Sequence, residues 1–344
     1  MKRFSIVDLI RVVALMGVIA SATHAAERKT IGEIERLDPA VDALVPADAK
    51  LEIIAEGFDW SEGPLWIPAD GGFLIFADIP PNKLYRWDAK HGQQDYLFPA
   101  GYTGAKPRGG EKGANGSILD ANGLLVLCQH GDRRLARMLA PLDKPKPKFQ
   151  TVAGKYDGKR FNSPNDATLH SSGAIYFTDP PYGLEKNVDD PAKELDFQGV
   201  YRVTPDGVVT LLTKELERPN GIAFSPDEKT LYVASSHGPQ PFIMAYPVLD
   251  DGTIGAGKVF FDCTEVAKPN PGGHDGMEVD EHGNVFATGP GGVLVLSPEG
   301  KHLGTLKTGQ ATSNVAFGED GKTLFITADM YVLRIPLSTK GKGF

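Results

Sequence analysis

Hydrophobic and polar residues alternate in short runs along this chain, and each run opens on a side chain that carries an oxygen. After the opening residue come an alternating strand, a turn rich in Asp, Ser, Pro or Gly, and a second hydrophobic run. Alternation with a period of two indicates a β-strand, so each copy predicts one hairpin. The six opening residues, which we call the leaders, are Glu62, Asn115, Asn165, Asn220, Asp275 and Asn314.

The spacing of the leaders predicts the fold. Successive leaders lie 53, 50, 55, 55 and 39 residues apart, which is typical of propeller blades. A single hairpin cannot bury its apolar face, and radial stacking of repeats both buries that face and protects the sheet edges. We therefore expect an all-β, six-bladed β-propeller. Because the first strand of a blade lies nearest the axis, the six leaders should form a ring around one end of the central tunnel.

The ends of the chain predict how the ring closes and what precedes it. Residues 51–55 read as a strand that supplies the outer strand of the sixth blade, whose last run ends near residues 331–335. Residues 1–26 combine basic, apolar and small-residue segments, which is typical of a secretory signal peptide. We expect cleavage near Ala25 or Ala26 and one propeller domain over residues 27–344, with an uncleaved anchor as the alternative. The protein is then periplasmic or secreted, with no membrane contact after cleavage.

Charge and cysteine content exclude several classes of partner. The formal net charge is −8, and removal of residues 1–25, which hold three cations and one anion, takes it to −10. An acidic protein is poorly suited to nucleic acid or to anionic membrane surfaces, so neither is expected as a partner. Cys128 and Cys263 make no disulfide framework or zinc motif, and we expect free, largely buried thiols. Nothing in the sequence indicates an oligomeric state.

Two long insertions interrupt the repeats, at residues 99–113 and 182–198. Long loops in a compact fold often cap or shape a binding site. The alternative is that they are mobile surface decoration.

The predicted ring of leaders has the chemistry of a site for a hard cation. Glu62 and Asp275 bring two carboxylates into a narrow tunnel, where they need protons or a cation between them. The remaining leaders offer amide oxygens, and no thiolate or imidazole is present among them. This set favours Ca²⁺, which accepts six to eight oxygen ligands, over Mg²⁺, Zn²⁺ or Mn²⁺. The alternative is that the leaders only cap strands or bind water.

A second ring follows from the hairpin direction, because the residues that end the second strands return to the face of the leaders. Acids and imidazoles at such positions are groups that position substrates and move protons. For each histidine the alternative is a purely structural role. The ring is Asp78, His130, Asp179, His237, Gly289 and Asp329, with His274 beside Asp275.

Four motifs at blade spacing make the sequence similar to the SMP-30/gluconolactonase/LRE-like family. They are EGPLW at residues 62–66, SPND at 163–166, RPNGIAFSPD at 218–227 and DGMEVD at 275–280. The resemblance runs from about residue 56 to residue 335. It implies a calcium-dependent six-bladed propeller that hydrolyses lactones, most often sugar lactones.

The resemblance also implies the roles of individual residues. Glu62, Asn220 and Asp275 match the family's metal ligands, and Asn165 matches a position that is a ligand in some members and a substrate contact in others. Asn115 and Asn314 have no such assigned role. Some members place an Arg just before the blade-three Asn to hold substrate, whereas here Ser163 stands two residues before it and the nearest basic residue is Arg160, so that role is not transferred.

The expected reaction is attack of water on a metal-polarised lactone carbonyl, with glucono-1,5-lactone as an example of the substrate. Asp275 is the family's usual candidate for moving the proton, and His274, His237 or His130 could assist or replace it. No Gly-x-Ser-x-Gly elbow is present, and neither cysteine lies in a nucleophile motif, which disfavours a covalent mechanism.

Two other interpretations stay open. The same metal centre could act on another lactone or on a phosphotriester, because the substrate-selecting loops are not predictable. Alternatively, the chain is a non-catalytic ligand-binding propeller, since one fold serves many functions. An open cleft edged by His130, His237 and Asp179 would favour hydrolysis, whereas a mouth blocked by residues 99–113 would favour binding alone.

Overall fold

Antiparallel strands make up almost all of the regular structure. A computed structural model describes residues 28–236, 241–270 and 272–344. Its helices are short, and comprise the α-helix Thr264–Ala267 and the 3₁₀ turns Pro39–Ala43, Ala69–Gly71 and Asn187–Asp189. The strands, numbered in chain order, are β1 Thr30–Ile31, β2 Glu33–Arg36, β3 Leu51–Glu56, β4 Ser61–Ile67, β5 Phe73–Asp78, β6 Lys83–Asp88, β7 Gly92–Leu97, β8 Ala114–Leu119, β9 Leu125–Gln129, β10 Arg134–Met138, β11 Phe149–Ala153, β12 Lys155–Tyr156, β13 Lys159–Arg160, β14 Ala167–Leu169, β15 Ile175–Asp179, β16 Gly199–Val203, β17 Val209–Thr213, β18 Pro219–Phe224, β19 Thr230–Ser235, β20 Phe242–Pro247, β21 Lys258–Asp262, β22 Met277–Val279, β23 Val285–Gly289, β24 Gly292–Leu296, β25 His302–Lys307, β26 Thr312–Gly318, β27 Thr323–Ala328 and β28 Tyr331–Pro336.

The strands form six blades in a ring. Blades one to four are the four-stranded sheets β4–β7, β8–β11, β14–β17 and β18–β21, and blades five and six are built on β22–β25 and β26–β28. The first strand of each blade contacts the first strand of the next blade, from β4 round to β26 and back to β4. This arrangement confirms the predicted six-bladed propeller, with the opening strand of every hairpin on the axis.

N-terminal strands close the ring. Strand β3 pairs with β28, from Tyr331 opposite Glu56 to Arg334 opposite Glu52, which confirms the strand predicted at residues 51–55. Strand β2 pairs with β25 and becomes the fifth strand of blade five, an addition that the sequence pattern did not indicate. The segment before the first blade therefore fastens the last two blades together.

Six apolar clusters fill the spaces between neighbouring blades. In β5, Phe73 and Ile75 pack against blade two, whereas the alternate residues Leu74 and Phe76 pack against blade six. Both faces of a central strand are buried because every blade lies between two others. Alternation in these strands therefore separates two interfaces, rather than a core from solvent.

Both thiols lie in these interfaces. Cys128 and Cys263 are buried and free, which confirms the expectation from the sequence. Within the described residues, no helix is long and apolar enough to cross a bilayer. Residues 1–26, interpreted as a signal peptide, lie outside the part of the chain that the structure describes.

Candidate active site

A cavity of about 980 Å³ occupies one end of the central tunnel. Five of the six leaders reach its wall: Glu62, Asn115, Asn165, Asn220 and Asp275. Residues from both insertions, from the N-terminal strands and from blade five complete the wall, among them Glu111, Tyr182, Glu33 and Gly289. The cavity is thus where the inner strands of the blades meet the loops that cover them.

Irregularities in the inner strands bring the leaders to the axis. The pairing of the first two strands shifts register between Glu62 and Leu65, between Ala114 and Ser117, and between Pro219 and Ile222. Such bulges turn a side chain out of the regular alternation. The backbone of the inner strand therefore bends where the leader leaves the sheet.

Glycine after the leader lets neighbouring blades approach closely. The amide of Gly116 donates to the carbonyl of Asn165 at 2.7 Å, and that of Gly221 donates to the carbonyl of Asp275 at 3.0 Å. A Cβ atom on Gly221 would lie 2.1 Å from that Asp275 carbonyl oxygen. The leader–Gly pair in the sequence is therefore a joint between blades as well as part of a site.

Blade six departs from the predicted ring by one residue. Gly276 donates its amide to the carbonyl of Ser313 at 2.7 Å, so Ser313 holds the backbone position that a leader holds in blades three and five. Asn314 takes the place of the glycine, and a Cβ on Gly276 would fall 1.9 Å from its Cγ. The expectation that Asn314 joins the ring at the mouth is therefore wrong. It lines a smaller cavity of about 190 Å³ with Asp166 and Glu278.

Three leader amides present oxygens with no partner. Asn115 Oδ1, Asn165 Oδ1 and Asn220 Oδ1 are buried and accept no hydrogen bond from any described residue. Buried polar atoms are satisfied in most native proteins, so three such oxygens in one wall point to a missing ligand. The described residues contain no group of three or more His, Cys, Asp or Glu that could hold a metal. Amide and carboxylate oxygens together make a donor set that suits a hard cation.

The carboxyls of the site repel one another. Burial raises the pKa of Glu62 to about 8, although the Gly63 amide donates to its carboxylate and lowers the pKa. Burial, followed by the charge of Glu62, also raises the pKa of Asp275 well above its usual value. Asp166 and Glu111 add to the negative potential at Asp275. Without a cation, the arrangement therefore favours protonated carboxyls.

The predicted outer ring is mostly structural. Asp78 accepts hydrogen bonds from the backbone amides of Asp59 and Trp60, and Asp179 accepts from those of Asn162 and Ser163. Both carboxylates hold the segment that leads into an inner strand, and neither lines the cavity. A carboxylate at the end of the second strand therefore orients the leader of its own blade.

Other members of that ring have different surroundings. Gly289 lines the cavity, whereas Asp329 does not. The Asp329 carbonyl accepts a hydrogen bond from the Ser61 amide. His237 lies outside the described residues.

The two described histidines near the site are buried. His274 lines the cavity, and its Nδ1 donates to the carbonyl of Thr288 at 2.9 Å while Nε2 lies 2.9 Å from Cys263 Sγ. Burial lowers the pKa of His274 to about 4. Both ring nitrogens are therefore engaged by groups other than Asp275, and these contacts fix the backbone next to that residue.

His130 is enclosed and contacts a residue of the first insertion. Its side chain has no exposure, and its Nδ1 lies 3.3 Å from Glu111 Oε2, whose side chain is 39% exposed. His130 and Asp179 are fully buried, so they do not edge an open cleft, the arrangement that would have favoured hydrolysis over binding alone. Through Glu111, however, His130 is connected to the cavity wall.

Sequence reasoning missed several polar residues of the wall, among them Glu111, Tyr182 and Ser236. Glu111 and Tyr182 belong to the two insertions, whose suspected role in shaping a site was the only available signal. Arg108 joins these insertions, because its guanidinium donates to the carbonyls of Gly131 and Gly183. The insertions therefore form part of the cavity, without filling it.

Comparison with known proteins identifies the class. The family model for the SMP-30/gluconolactonase/LRE-like region matches residues 60–329. The chain therefore belongs to this family of propellers. A gluconolactonase of Zymomonas mobilis is 37% identical over 338 residues, which cover 95% of this chain and 92% of that protein.

Solved structures agree with this assignment. XC5397 of Xanthomonas campestris, described as a gluconolactonase, superposes with a TM-score of 0.75 at 30% identity, covering 91% of this chain and 99% of that one. A calcium-binding regucalcin of Agrobacterium tumefaciens shares the fold, with a TM-score of 0.64 at 22% identity over 85% of this chain and 94% of that one.

Proposed function

We propose that the protein is a metal-dependent carboxylic-ester hydrolase that opens the ring of a sugar lactone. One observation carries this proposal: two carboxylates and three unsatisfied amide oxygens face a single cavity that is large enough for a sugar ring. Gluconolactonases are among the relatives that match nearly the whole chain. Their activity supports the choice of a lactone as the substrate.

The residues that would hold the ion are Glu62, Asn165, Asn220 and Asp275, with Asn115 as a fifth oxygen donor. Calcium suits this set best, because the donors are all oxygens and come from five different blades. A divalent ion bound there would polarise the lactone carbonyl as a Lewis acid.

The protein's own groups bind the substrate and move the protons. Asp275 takes the proton of the attacking water and returns it to the ring oxygen as the acyl–oxygen bond breaks, which leaves a hydroxy acid. His274, whose ring is held by the Thr288 carbonyl and the Cys263 sulfur, anchors the backbone next to Asp275. His130 contacts Glu111, which is partly exposed and lines the cavity. His237 remains a candidate to assist the proton transfer.

Hydrolysis of glucono-1,5-lactone by the purified mature protein tests the proposal. Proton release above the spontaneous rate should disappear on chelation and return when calcium is added. Asp275→Asn should lose nearly all activity, whereas Asp250→Asn, at an exposed site outside the cavity, should retain it. A folded Asp275→Asn protein with wild-type activity would exclude the assigned site.

The alternatives give different results in the same assay. Activity with a phosphotriester but not with a lactone would mean that the same metal site acts on a different electrophile. A folded, calcium-loaded protein that turns over neither compound would be a ligand-binding propeller.

A further inference from the structure

The side chain of Tyr182 forms part of the cavity wall and is held in a fixed position by its neighbours. It follows β15, in a turn where the amide of Leu184 donates to the carbonyl of Pro181 at 3.0 Å. The next residue, Gly183, donates its amide to Ser163 Oγ at 2.9 Å. A side chain at Gly183 would meet His130 and Ser163 at under 3 Å. The backbone around Tyr182 is therefore tightly constrained.

The direction of the hydrogen bonds at Tyr182 can be deduced. Its hydroxyl contacts Ser236 Oγ, which also lines the cavity. Ser236 Oγ lies 3.2 Å from the carbonyl of Arg218, which can only accept, so the serine proton is used there. Since each hydroxyl has one proton, Ser236 must accept from Tyr182. The Tyr182 oxygen therefore has no proton left for a ligand and can only accept, and the Arg218 guanidinium already donates to it.

Two further features keep the Tyr182 hydroxyl protonated and its ring in place. Burial raises the pKa of the Tyr182 phenol, so the hydroxyl keeps its proton near neutral pH. The Arg218 guanidinium lies 5.6 Å from the centre of the Tyr182 ring and donates a hydrogen bond to the hydroxyl oxygen, so it helps to fix the ring and leaves one acceptor site of that oxygen for a ligand. An acceptor that is rigidly held in a cavity discriminates ligands by whether they can donate to it.

We propose that Tyr182, oriented by Ser236, accepts a hydrogen bond from a hydroxyl of the substrate and thereby selects hydroxylated lactones over unsubstituted ones. This inference rests on the proposed lactonase function. Tyr182 is the specificity-determining residue and Ser236 is a positioning residue. A ligand without a hydroxyl at this point would leave the remaining acceptor site of the phenol oxygen without a donor. The chemistry of hydrolysis itself does not depend on the contact.

The test compares two lactones of the same ring size, glucono-1,5-lactone and unsubstituted δ-valerolactone, with the calcium-loaded mature protein. Loss of one hydrogen bond should lower kcat/KM of Tyr182→Phe for gluconolactone by about ten-fold, chiefly through KM, and leave valerolactone unchanged. Ser236→Ala should lower kcat/KM by a smaller factor, and for gluconolactone alone. Ser236→Thr keeps the hydroxyl and should have the kcat/KM of the wild-type protein. Tyr102→Phe is the matched control, because Tyr102 lines a different cavity.

The outcomes separate this inference from the proposed function. Equal losses on both lactones, or no loss on gluconolactone, would overturn the role of Tyr182 and leave the lactonase assignment in place. Failure of the folded wild-type protein to hydrolyse either lactone would overturn the proposed function and this inference with it.

Discussion

The asparagines on the cavity wall differ from most buried amides because their side-chain oxygens have neither a hydrogen-bond donor nor a cation as a partner. Asn115, Asn165 and Asn220 each expose an oxygen that no described residue satisfies. Leaving a buried acceptor unpaired costs about 1–3 kcal/mol. Three such acceptors beside two carboxylates are therefore a large local instability, unless a ligand removes it.

Replacement of one amide should weaken ion binding. Asn220→Ala removes an unpaired oxygen and also the hydrogen bond that its side chain makes with Asp275. We expect calcium affinity to fall by about ten-fold or more, in proportion to one lost oxygen ligand and one lost charge-assisted hydrogen bond. Calorimetric titration of the chelator-treated protein measures this. Asn122→Ala, at an exposed turn, is the control, and unchanged affinity in Asn220→Ala would remove Asn220 from the site.

At the scale of the strands, neighbouring blades come into close backbone contact where a glycine leaves no side chain in the way. Gly221 approaches the Asp275 carbonyl so closely that a Cβ atom would lie 2.1 Å from the oxygen. Backbone cannot move aside as a flexible side chain can. The distance between blades four and five at the mouth is therefore fixed by this glycine.

A methyl group at this joint should destabilise the fold. Gly221→Ala forces the inner strands of two blades apart, and overpacking of this kind costs about 1–3 kcal/mol or more. Gly109→Ala, where a Cβ meets nothing within 4 Å, should change stability by less than about 0.5 kcal/mol. Urea unfolding of both variants measures the difference. Equal midpoints would show that the joint is loose.

The element scale also shows how far the sequence could predict this site. Glu62, Asn165, Asn220 and Asp275 were predictable because each opens a hairpin, and the repeat defines which end of the tunnel they reach. Asn314 was misplaced because blade six carries Ser313 in the leader's backbone position, and a repeat cannot reveal a one-residue offset. Tyr182 and Glu111 were not predictable, because insertions have no periodicity to give their direction.

At the scale of the whole molecule, closure of the ring depends on β3. This strand joins the sheet of the last blade through its pairing with β28, and Leu51 packs in the cluster between blades five and six. Strand β1 pairs in turn with β3, so the N-terminal segment supplies the two outer strands of the last blade. The stability of every blade therefore depends on a segment that precedes the first repeat.

Truncation of Leu51 should show this dependence. The side chain is 2% exposed, whereas Leu249 is 47% exposed. Leu51→Ala should lower the free energy of unfolding by about 2–5 kcal/mol, the usual cost of a buried Leu→Ala change. Leu249→Ala should change it by less than about 0.5 kcal/mol. Chemical denaturation compares the two, and equal stability would mean that closure by β3 contributes little.

The tunnel as a whole links stability to pH and to metal. Burial raises the pKa of Glu62 to about 8 and those of Asp166 and Glu278 to about 7. When the pH is above the ordinary pKa of a carboxyl group, the unfolded chain has released these protons. The metal-free folded chain still holds them. Stability should then fall as pH rises towards 8, by about 1.4 kcal/mol per pH unit for each such proton.

Calcium should reverse much of this decline, because an ion between Glu62 and Asp275 replaces their protons and binds the folded chain alone. At a free calcium concentration of about one hundred times Kd, the added stability is about 2.7 kcal/mol. Urea midpoints measured across this pH range with chelator and with calcium should diverge as pH rises. If the two sets of urea midpoints change with pH in the same way, these carboxylates hold no cation. The amide oxygens of the wall would then be assigned to the recognition of an uncharged ligand.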